Sequence, residues 1–208
     1  MEILVVAATE EEIKPFMLLH PTAHFLITGV GTAATTYSLT RRLNQADYDF
    51  VIQAGVCGAF DKGLELGSTV KIVRDTFGHS GVWEGKQFFL LEERSLRNPG
   101  FPFTEGWLVN AHSIIQHIHL PGVDAITVDL VSDDPLFNEL TCSKFSAQIE
   151  SMEGAAFHFV CLMENIPFVQ LRAVSNYVGQ RNKEKWDLQK AIENLNHYLG
   201  IVYKNLLK

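Results

Sequence analysis

Two glutamates of this sequence combine an ionisable side chain with surroundings that predict burial. Glu153 follows Met152 and precedes the small apolar run of residues 154–156. Glu12 closes the acidic segment TEEE, residues 9–12, just after an apolar run. A buried carboxylate is costly unless hydrogen-bond donors hold it, so each glutamate needs a partner from the protein or from a ligand. Carboxylates in such places can deprotonate water or attract a developing positive charge.

Most of these features also have a purely structural interpretation. In TEEE, the threonine and the last glutamate have the spacing of a capping box at a helix start. The glycines of GVG, residues 29–31, and of GVCG, residues 55–58, suit tight turns, and Asn176 suits a turn as well. Glu153 is the hardest to explain by structure alone because its neighbours are small and apolar.

The candidate residues share one place in the predicted secondary structure, the carboxyl end of a strand. Near-continuous apolar runs, typical of buried parallel strands, cover residues 3–8, 24–29, 49–55, 68–73, 125–131, 145–150 and 167–174. Helical patterns cover residues 32–45, 154–165 and 183–207. This alternation predicts an α/β protein whose largely parallel sheet is covered on both faces. Since ligands bind at the carboxyl edge of such a sheet, we expect the candidate residues to meet in one site.

Bulk composition narrows the classes of partner. The chain has 208 residues, 47% of them hydrophobic, and shows no repeat or linker, so we expect one domain over residues 1–208. A net charge of −7 disfavours nucleic acid as a partner. No apolar run approaches the roughly 20 residues that span a bilayer, so no membrane partner is expected. Three widely spaced cysteines predict no disulfide framework and favour a cytoplasmic location.

Two further patterns imitate known sites. The segment GVGTAA, residues 29–34, matches a dinucleotide-binding fingerprint, but the next strand does not end in the acid that would hold a ribose. The segment HSIIQHIH contains His112, His117 and His119, with no carboxylate or cysteine at ligand spacing beside them. We therefore predict neither a nicotinamide cofactor nor a metal site.

Five segments taken together resemble one family. AATEEEI, TGVGTAAT, QAGVCGAFD, ESMEGAA and LRAVSN follow one another in the order found in the nucleoside phosphorylase and nucleosidase superfamily. The resemblance covers most of the chain. It implies a three-layer α/β/α sandwich with a central mixed, largely parallel sheet, and cleavage of the N-glycosidic bond of a purine nucleoside.

The resemblance also implies roles for individual residues. Met152 would pack on the sugar ring and Glu153 would accept hydrogen bonds from its hydroxyls, where it attracts the positive charge of the transition state. Glu12 and Asn176 would be the catalytic residues. Further contacts to the substrate are expected from Gly55, Val56, Val131 and Ser175. The chemistry implies no cofactor, and the family implies a homo-oligomer. The aromatic-rich residues 75–110 are the candidate segment for reaching a neighbouring subunit's pocket.

The residues around the expected nucleophile favour water over phosphate. The superfamily's phosphorylases carry an Arg and a Ser or Thr around the glycine loop, and a Gly and another Arg near the N-terminus. The matching positions here are Gln53, Val56 and the glutamates of TEEE. A carboxylate cluster repels phosphate, whereas Glu12 can orient and deprotonate water. The chain is therefore expected to be a hydrolase.

The neighbours Ser175 and Asn176 bear on which purine leaves. Adenine-releasing nucleosidases have Ser-Asp here, and the Asp donates a proton toward the base. An amide cannot do so, but it presents an acceptor and a donor side by side, which suits a 6-oxopurine. The stretch from Ser175 to Trp186 is similar to the SNYVGxRxxxxW segment of futalosine hydrolases of the alternative menaquinone pathway. We therefore expect hypoxanthine to be released from futalosine, giving dehypoxanthinyl futalosine.

Other surroundings of the substrate are less defined by the sequence. The large 5′ substituent of futalosine would need an apolar wall, and His79 stands on this side where many relatives have an acid. Candidate aromatic residues for the wall are Phe77, Trp83, Phe88, Phe89, Phe101, Phe103 and Trp107. The segment LVSDDP, residues 130–135, is the expected base loop, although Asp134 and Pro135 equally fit a helix start.

Three alternatives stay open on the sequence. The first is a nucleosidase that acts on methylthioadenosine or adenosylhomocysteine, and the second is a purine nucleoside phosphorylase. The third belongs to another class, a non-catalytic nucleotide-binding module on the same fold.

Overall fold

The computed structural model of the chain describes residues 1–85, 87–96, 100–180 and 182–208. Its strands are β1 (Ile3–Ala7), β2 (His24–Ile27), β3 (Phe50–Ala59), β4 (Thr69–Phe77), β5 (Gly81–Glu84), β6 (Gln87–Leu90), β7 (Leu108–Val109), β8 (Gly122–Thr127), β9 (Ile149–Ser151) and β10 (Phe168–Tyr177). Its α-helices are α1 (Glu10–Leu19), α2 (Thr32–Leu43), α3 (Pro135–Phe145), α4 (Gly154–Met163) and α5 (Leu188–Leu206). Strands and helices alternate through much of the chain, as the apolar pattern predicts.

The main sheet is mixed and has a closed part and an open part. β3 pairs in parallel with β1 and with β10, and β1 pairs in parallel with β2. β8 pairs in parallel with β4 and with β9. Antiparallel pairing of β10 with β4 and of β9 with β3 joins the two groups, so that β3, β10, β4, β8 and β9 close a ring. The predicted mixed, largely parallel sheet is confirmed, while the ring is a feature that the apolar pattern did not indicate.

Helices cover both faces of this sheet. One core contains residues of α1 and α5 with Ile3 and Val5 of β1, and a second contains residues of α2 and α4 with Leu4 and Val6. Successive side chains of a strand point to opposite faces, so β1 is buried on both sides and reads as an unbroken apolar run. The expected three layers, helices on either side of a sheet, are confirmed.

Two predicted strands end or begin elsewhere for local reasons. The predicted strand over 145–150 is shorter, because α3 runs to Phe145 and ends at Ser146 in the left-handed conformation, with φ of 51°. β9 therefore begins only at Ile149. The predicted strand over 125–131 stops at Thr127, which leaves Val131 in the loop before α3.

The helix starts show how capping residues decide boundaries. Asp134 caps α3, because its Oδ1 accepts hydrogen bonds from the backbone N of Leu136 at 2.9 Å and of the next residue at 3.3 Å. The helix-start interpretation of this segment is thus confirmed. The last helix begins at Leu188 instead of residue 183, since residues 183–185 form a 3-10 turn and Asp187 caps α5.

The aromatic-rich stretch over 75–110 is only partly irregular. It contains the end of β4, the hairpin of β5 and β6, and β7, which pairs with β4. Residues 86 and 97–99 of this stretch lie outside the described residues. None of the described helices is both long enough and apolar enough to cross a bilayer.

Candidate active site

A cavity of about 630 Å³ lies where β1, β3, β8, β9 and β10 end. Seven of the eight residues predicted for the site line this cavity, although they come from distant parts of the chain. They are Glu12, Val56, Val131, Met152, Glu153, Ser175 and Asn176. The cavity therefore lies at the carboxyl edge of the parallel strands, where ligands of α/β proteins bind.

Neutral donors hold the carboxylate of Glu12 at the mouth of α1. Its Oε1 accepts a hydrogen bond from the backbone N of Val56 at 3.0 Å. Its Oε2 accepts from the backbone N of Thr9 at 3.0 Å and from the Thr9 hydroxyl at 3.1 Å. The capping interpretation of this pair therefore holds, and it does not exclude a second role. Each carboxylate oxygen has two acceptor sites, so Glu12 can cap α1 and still accept from a molecule in the cavity.

Glu153 is held differently, by a buried cation and by a helix N-terminus. Its Oε2 lies 3.3 Å from Nη1 of Arg172, and both side chains are buried. Its Oε1 accepts from the backbone N of Gly31 at 3.2 Å. Gly31 has φ of 96° and is the N-cap of α2, where backbone N–H groups attract anions. The partner that the sequence demanded for this buried carboxylate is thus the protein itself.

This contact also explains the segment that imitates a dinucleotide fingerprint. At the N-terminus of α2, where a pyrophosphate would bind in a dinucleotide fold, lie the carboxylates of Glu153 and Asp129. Asp129 accepts from the Thr32 backbone N at 3.3 Å and from its hydroxyl at 2.9 Å. The glycine loop therefore serves side-chain anions of this chain.

Gly55, the eighth predicted residue, is not among those that line the cavity. A Cβ at this position would lie 2.5 Å from Nη1 of Arg172 and 2.9 Å from Oε1 of Glu12. Gly55 therefore leaves room for two charged side chains, and its contact with a substrate stays a prediction. Gly154, after Glu153, is similar, because a Cβ there would collide with Asp75 and Gln170.

Asn176 reaches the cavity through an irregularity in β10. The pairing of β10 with β3 shifts register between Val174 and Asn176, a bulge that redirects the following side chains. Oδ1 of Asn176 lies 2.9 Å from the Ser175 hydroxyl, which shares its single proton between this oxygen and the backbone O of Cys57 at 3.1 Å. Nδ2 donates to the backbone O of Tyr177 at 3.1 Å. These bonds orient the amide and leave one acceptor site and one N–H for another partner.

The sequence analysis missed Arg172 and the polar residues beneath it. Gln170 and Arg172 stand two residues apart in β10 and so point to the same face, although the other residues over 168–174 are apolar. Beyond them lie Asp75 of β4 and His158 of α4, both fully buried. Gln170 and Arg172 could have been recognised from the sequence, because two polar residues on the same face of an otherwise apolar stretch are unusual. Nothing local indicates Asp75 and His158.

Burial shifts the pKa values of three groups at or beneath the cavity. It raises the pKa of Asp75 to about 6, although a hydrogen bond from Thr127 opposes this shift. It lowers the pKa of His158 to about 4, so that the imidazole is neutral at pH 7. It raises the pKa of Cys57 in the cavity wall to about 12, which keeps that thiol protonated and a poor nucleophile.

The cavity is rich in carboxylates. Its acidic lining residues are Glu11, Glu12, Asp129, Glu150 and Glu153. Among the described lining residues there is no Lys or Arg, and Arg172 lies behind Glu153 with 1% of its surface exposed. The Gln53 side chain, in the position where phosphorylases carry a phosphate ligand, accepts from Nη2 of Arg172 at 3.1 Å. Such a lining is unfavourable for inorganic phosphate.

A second cavity, of about 450 Å³, shares Asp129 and Leu130 with the first. Of the aromatic residues predicted to form a wall, Trp83 and Phe88 line it, together with Phe137. His79 lines it too, and burial lowers the pKa of its imidazole. The other predicted aromatics do not line either cavity. They are Phe77, Phe89, Phe101, Phe103 and Trp107.

The remaining sequence predictions concern places away from this site. His112, His117 and His119 line a separate cavity beside α5, and no metal-ligand cluster is found among the described residues. Within the segment from Ser175 to Trp186, Trp186 lines the main cavity, whereas residue 181 lies outside the described residues.

Comparisons with known proteins agree with this geometry. A family model described as the phosphorylase superfamily matches residues 21–202. Futalosine hydrolase of Thermus thermophilus is 28% identical over 176 residues, which are 82% of this chain and 76% of the relative. 5′-Methylthioadenosine/S-adenosylhomocysteine nucleosidase of a Marinomonas species is 27% identical over 175 residues, 81% of this chain and 75% of the relative. The resemblance deduced from the sequence is confirmed at the level of the superfamily.

A solved structure shows the same fold. The native structure of futalosine hydrolase of Helicobacter pylori matches with a TM-score of 0.80, covering 98% of this chain and 97% of that one. The identity is 18%, so this likeness concerns the fold alone.

Proposed function

We propose that this chain, which belongs to the phosphorylase superfamily, is a futalosine hydrolase that uses water to release hypoxanthine and leaves dehypoxanthinyl futalosine. The observation that carries the proposal is the meeting of Glu12, Glu153 and Asn176 around one cavity whose described lining has no cationic side chain. The coarser activity, that of a nucleoside N-glycosyl hydrolase, agrees with both groups of curated relatives.

Glu12 is the residue that activates water in this proposal. Its two oxygens are fixed by Val56 and Thr9, so the carboxylate cannot rotate away from the cavity without losing hydrogen bonds. A water that donates to Glu12 would be oriented and would pass a proton to it as it attacks the sugar. The acidic lining disfavours phosphate as the competing nucleophile.

Glu153 is the residue that holds the sugar. The bond to the base breaks through a transition state in which the sugar carries positive charge. A carboxylate on the hydroxyls gains attraction as this charge develops, so it lowers the barrier more than it strengthens ground-state binding. Met152, beside it in the cavity wall, offers an apolar surface to the ring.

Asn176 is the residue that selects the leaving base. Its remaining acceptor site would face a protonated N7 and its remaining N–H would face the O6 of hypoxanthine. An adenine would place its 6-amino group against the amide N–H, where two donors meet. Val131, in the loop before α3, and Ser175 complete the contacts to the base in this proposal.

In this proposal the 5′ substituent occupies the second cavity. This cavity continues from the first at Asp129 and Leu130, and Trp83 and Phe88 provide an apolar wall. A nucleoside with a large aromatic group at the 5′ position would use both cavities, whereas inosine would use only the first. Assembly of the chain with copies of itself stays a prediction.

The second candidate is a methylthioadenosine/adenosylhomocysteine nucleosidase, since relatives of that description match almost as closely. Liquid chromatography of the bases released from futalosine, inosine and methylthioadenosine separates the two. The proposal expects hypoxanthine from futalosine at the highest kcat/KM, less from inosine, and little adenine. Adenine from methylthioadenosine as the preferred product would replace it with the second candidate.

A further inference from the structure

A chain of buried polar groups leads from Glu153 into the core. Arg172 contacts Glu153. With the Gln170 amide assigned the orientation that satisfies its hydrogen-bond partners, Nε of Arg172 donates to the side-chain oxygen of Gln170 at 3.0 Å. The amide nitrogen of Gln170 donates in turn to Nε2 of His158 at 2.8 Å and to Oδ2 of Asp75 at 3.3 Å. The proposed roles of the active-site residues use only the first member of this chain.

The direction of these hydrogen bonds is fixed from the far end. Nδ1 of His158 lies 3.0 Å from the backbone O of Leu108, which can only accept, so Nδ1 carries the proton. Burial keeps the ring neutral by lowering its pKa to about 4. Nε2 is then an acceptor, and the amide nitrogen of Gln170 must face it. The amide oxygen is left to face Arg172.

Gln170 thereby sets the plane of the Arg172 guanidinium. With Nε bound to Gln170 and Nη2 bound to Gln53 at 3.1 Å, Nη1 points at both Glu153 and the backbone O of Val56, each at 3.3 Å. A guanidinium is planar, so fixing Nε and one terminal nitrogen also fixes the other.

We propose that Gln170 is a positioning residue for the carboxylate of Glu153 and acts on it through Arg172. The inference rests on the proposed function, because it assumes that Glu153 holds the sugar. Gln170 is fully buried, with none of its side chain exposed to solvent. A buried amide is retained there at a cost that only its hydrogen bonds offset.

The first test measures the hold on Arg172 without using activity. Nuclear magnetic resonance of nitrogen-labelled protein reports the solvent exchange of the arginine Nε–H groups. Gln170→Met should speed exchange at Arg172 by about tenfold or more, as expected when a buried hydrogen bond is lost. Asn110→Met is the control, because the buried Asn110 amide bonds to the backbone O of Phe168 and lies outside this chain of groups. Unchanged exchange in Gln170→Met would overturn the proposal.

The second test is a double-mutant cycle in the rate. In the natural background, Gln170→Met should lower kcat about tenfold with KM altered less than about threefold, since Glu153 acts in the transition state. In a Glu153→Gln background, the same change should cost less than about twofold. Equal losses in both backgrounds would assign Gln170 a merely structural role.

If Gln170→Met fails to fold, a second variant, His158→Phe, tests the same proposal. His158→Phe removes the acceptor that orients the Gln170 amide. It should therefore raise the exchange rate of the Arg172 Nε–H and lower kcat, each by a smaller factor than Gln170→Met does. No change in either quantity would count against the proposal. Absence of any nucleoside cleavage by the unaltered enzyme would instead overturn the proposed function, while the exchange measurement would still decide whether Gln170 holds Arg172.

Discussion

Glu12 and Glu153, two glutamates of the site, lie in different electrostatic environments. Glu12 is bound by three neutral donors, two from Thr9 and one from Val56. Glu153 is bound by the cation of Arg172 and by the N-terminus of α2. One residue joins the two surroundings, since Val56 donates its N–H to Glu12 and accepts from Arg172 with its carbonyl.

The difference indicates a division of labour. Neutral donors fix a carboxylate in place and add no counter-charge, which suits a group that must take a proton from water. A buried cation and a helix N-terminus hold the Glu153 carboxylate in one orientation, which suits a group that must face the sugar hydroxyls throughout the reaction. Changes at the two glutamates should therefore have different consequences for rate and for stability.

The largest effect is expected at Glu12. Glu12→Gln should lower kcat by about a thousandfold or more, because the amide cannot accept the proton from water. Substrate binding should survive, as measured by isothermal titration calorimetry. Glu10→Gln on the exposed side of α1 is the control. A rate within tenfold of the unaltered enzyme would reduce Glu12 to a helix cap.

Glu153→Gln should show the opposite balance. We expect a smaller loss of rate, about a hundredfold, because the amide still accepts from the sugar hydroxyls but carries no charge. We expect a larger loss of stability, about 3 kcal/mol, since buried Arg172 loses the carboxylate that it contacts. Urea unfolding of both variants measures the second quantity. Equal stability losses for Glu12→Gln and Glu153→Gln would break the comparison.

Glu153 is linked to His158 through Arg172 and Gln170, and the contribution of His158 to stability should depend on pH. The pKa of His158 is about 4 in the folded chain against 6.5 when unfolded, so the unfolded chain binds the proton first as pH falls. The stability due to neutral His158 is present above pH 6.5 and is lost toward pH 4, by about 3 kcal/mol. The difference in unfolding free energy between the unaltered protein and His158→Phe should shrink accordingly. With His197→Phe as the surface control, a difference independent of pH would contradict this account.

The contacts of Glu12 were easier to predict from the sequence than the contacts of Glu153 and the buried residues behind it. The strands of the main sheet other than β7, the helices over 32–43 and 154–163, and the edge at which the site lies follow from apolar runs and from the residues that end them. Thr9 and Glu12 are neighbours in sequence, so their contact was open to inference. Asp75 and His158 meet Gln170 only after β4, α4 and β10 pack, and no local pattern records such a meeting.

The irregular parts of the site were the least predictable. Ser146 ends α3 in a left-handed conformation, although such helix ends usually carry glycine or asparagine and neither is present here. The bulge before Asn176 arises from the pairing of β10 with β3, which depends on residues more than a hundred positions apart. The residue types of the site could therefore be named from sequence, whereas the directions of their side chains could not.

Asn176, the residue proposed to select the base, should show a moderate effect. Asn176→Asp can donate a proton toward adenine and loses the N–H that faces O6. We expect the ratio of adenine release to hypoxanthine release to rise by about ten- to a hundredfold, measured as kcat/KM on methylthioadenosine and on futalosine. An unchanged ratio would separate Asn176 from base selection.

The smallest effect sharpens the account of Glu12. Thr9→Val removes one of three donors and keeps the backbone N–H, so it should cost about 1 kcal/mol of stability and a few-fold in kcat. Thr36→Val in α2 is the control, because its hydroxyl bonds only to the helix backbone in the described contacts. A loss as large as that of Glu12→Gln would mean that the hydroxyl itself takes part in the reaction.

The most direct test of the central claim, that the nucleophile is a water activated by Glu12, is the dependence of the reaction on phosphate. Purified enzyme is incubated with futalosine in buffer with and without inorganic phosphate, and the sugar product is identified by mass spectrometry. The account predicts the same rate of hypoxanthine release in both buffers and a product with a sugar hydroxyl. A rate that requires phosphate and a sugar 1-phosphate product would contradict it.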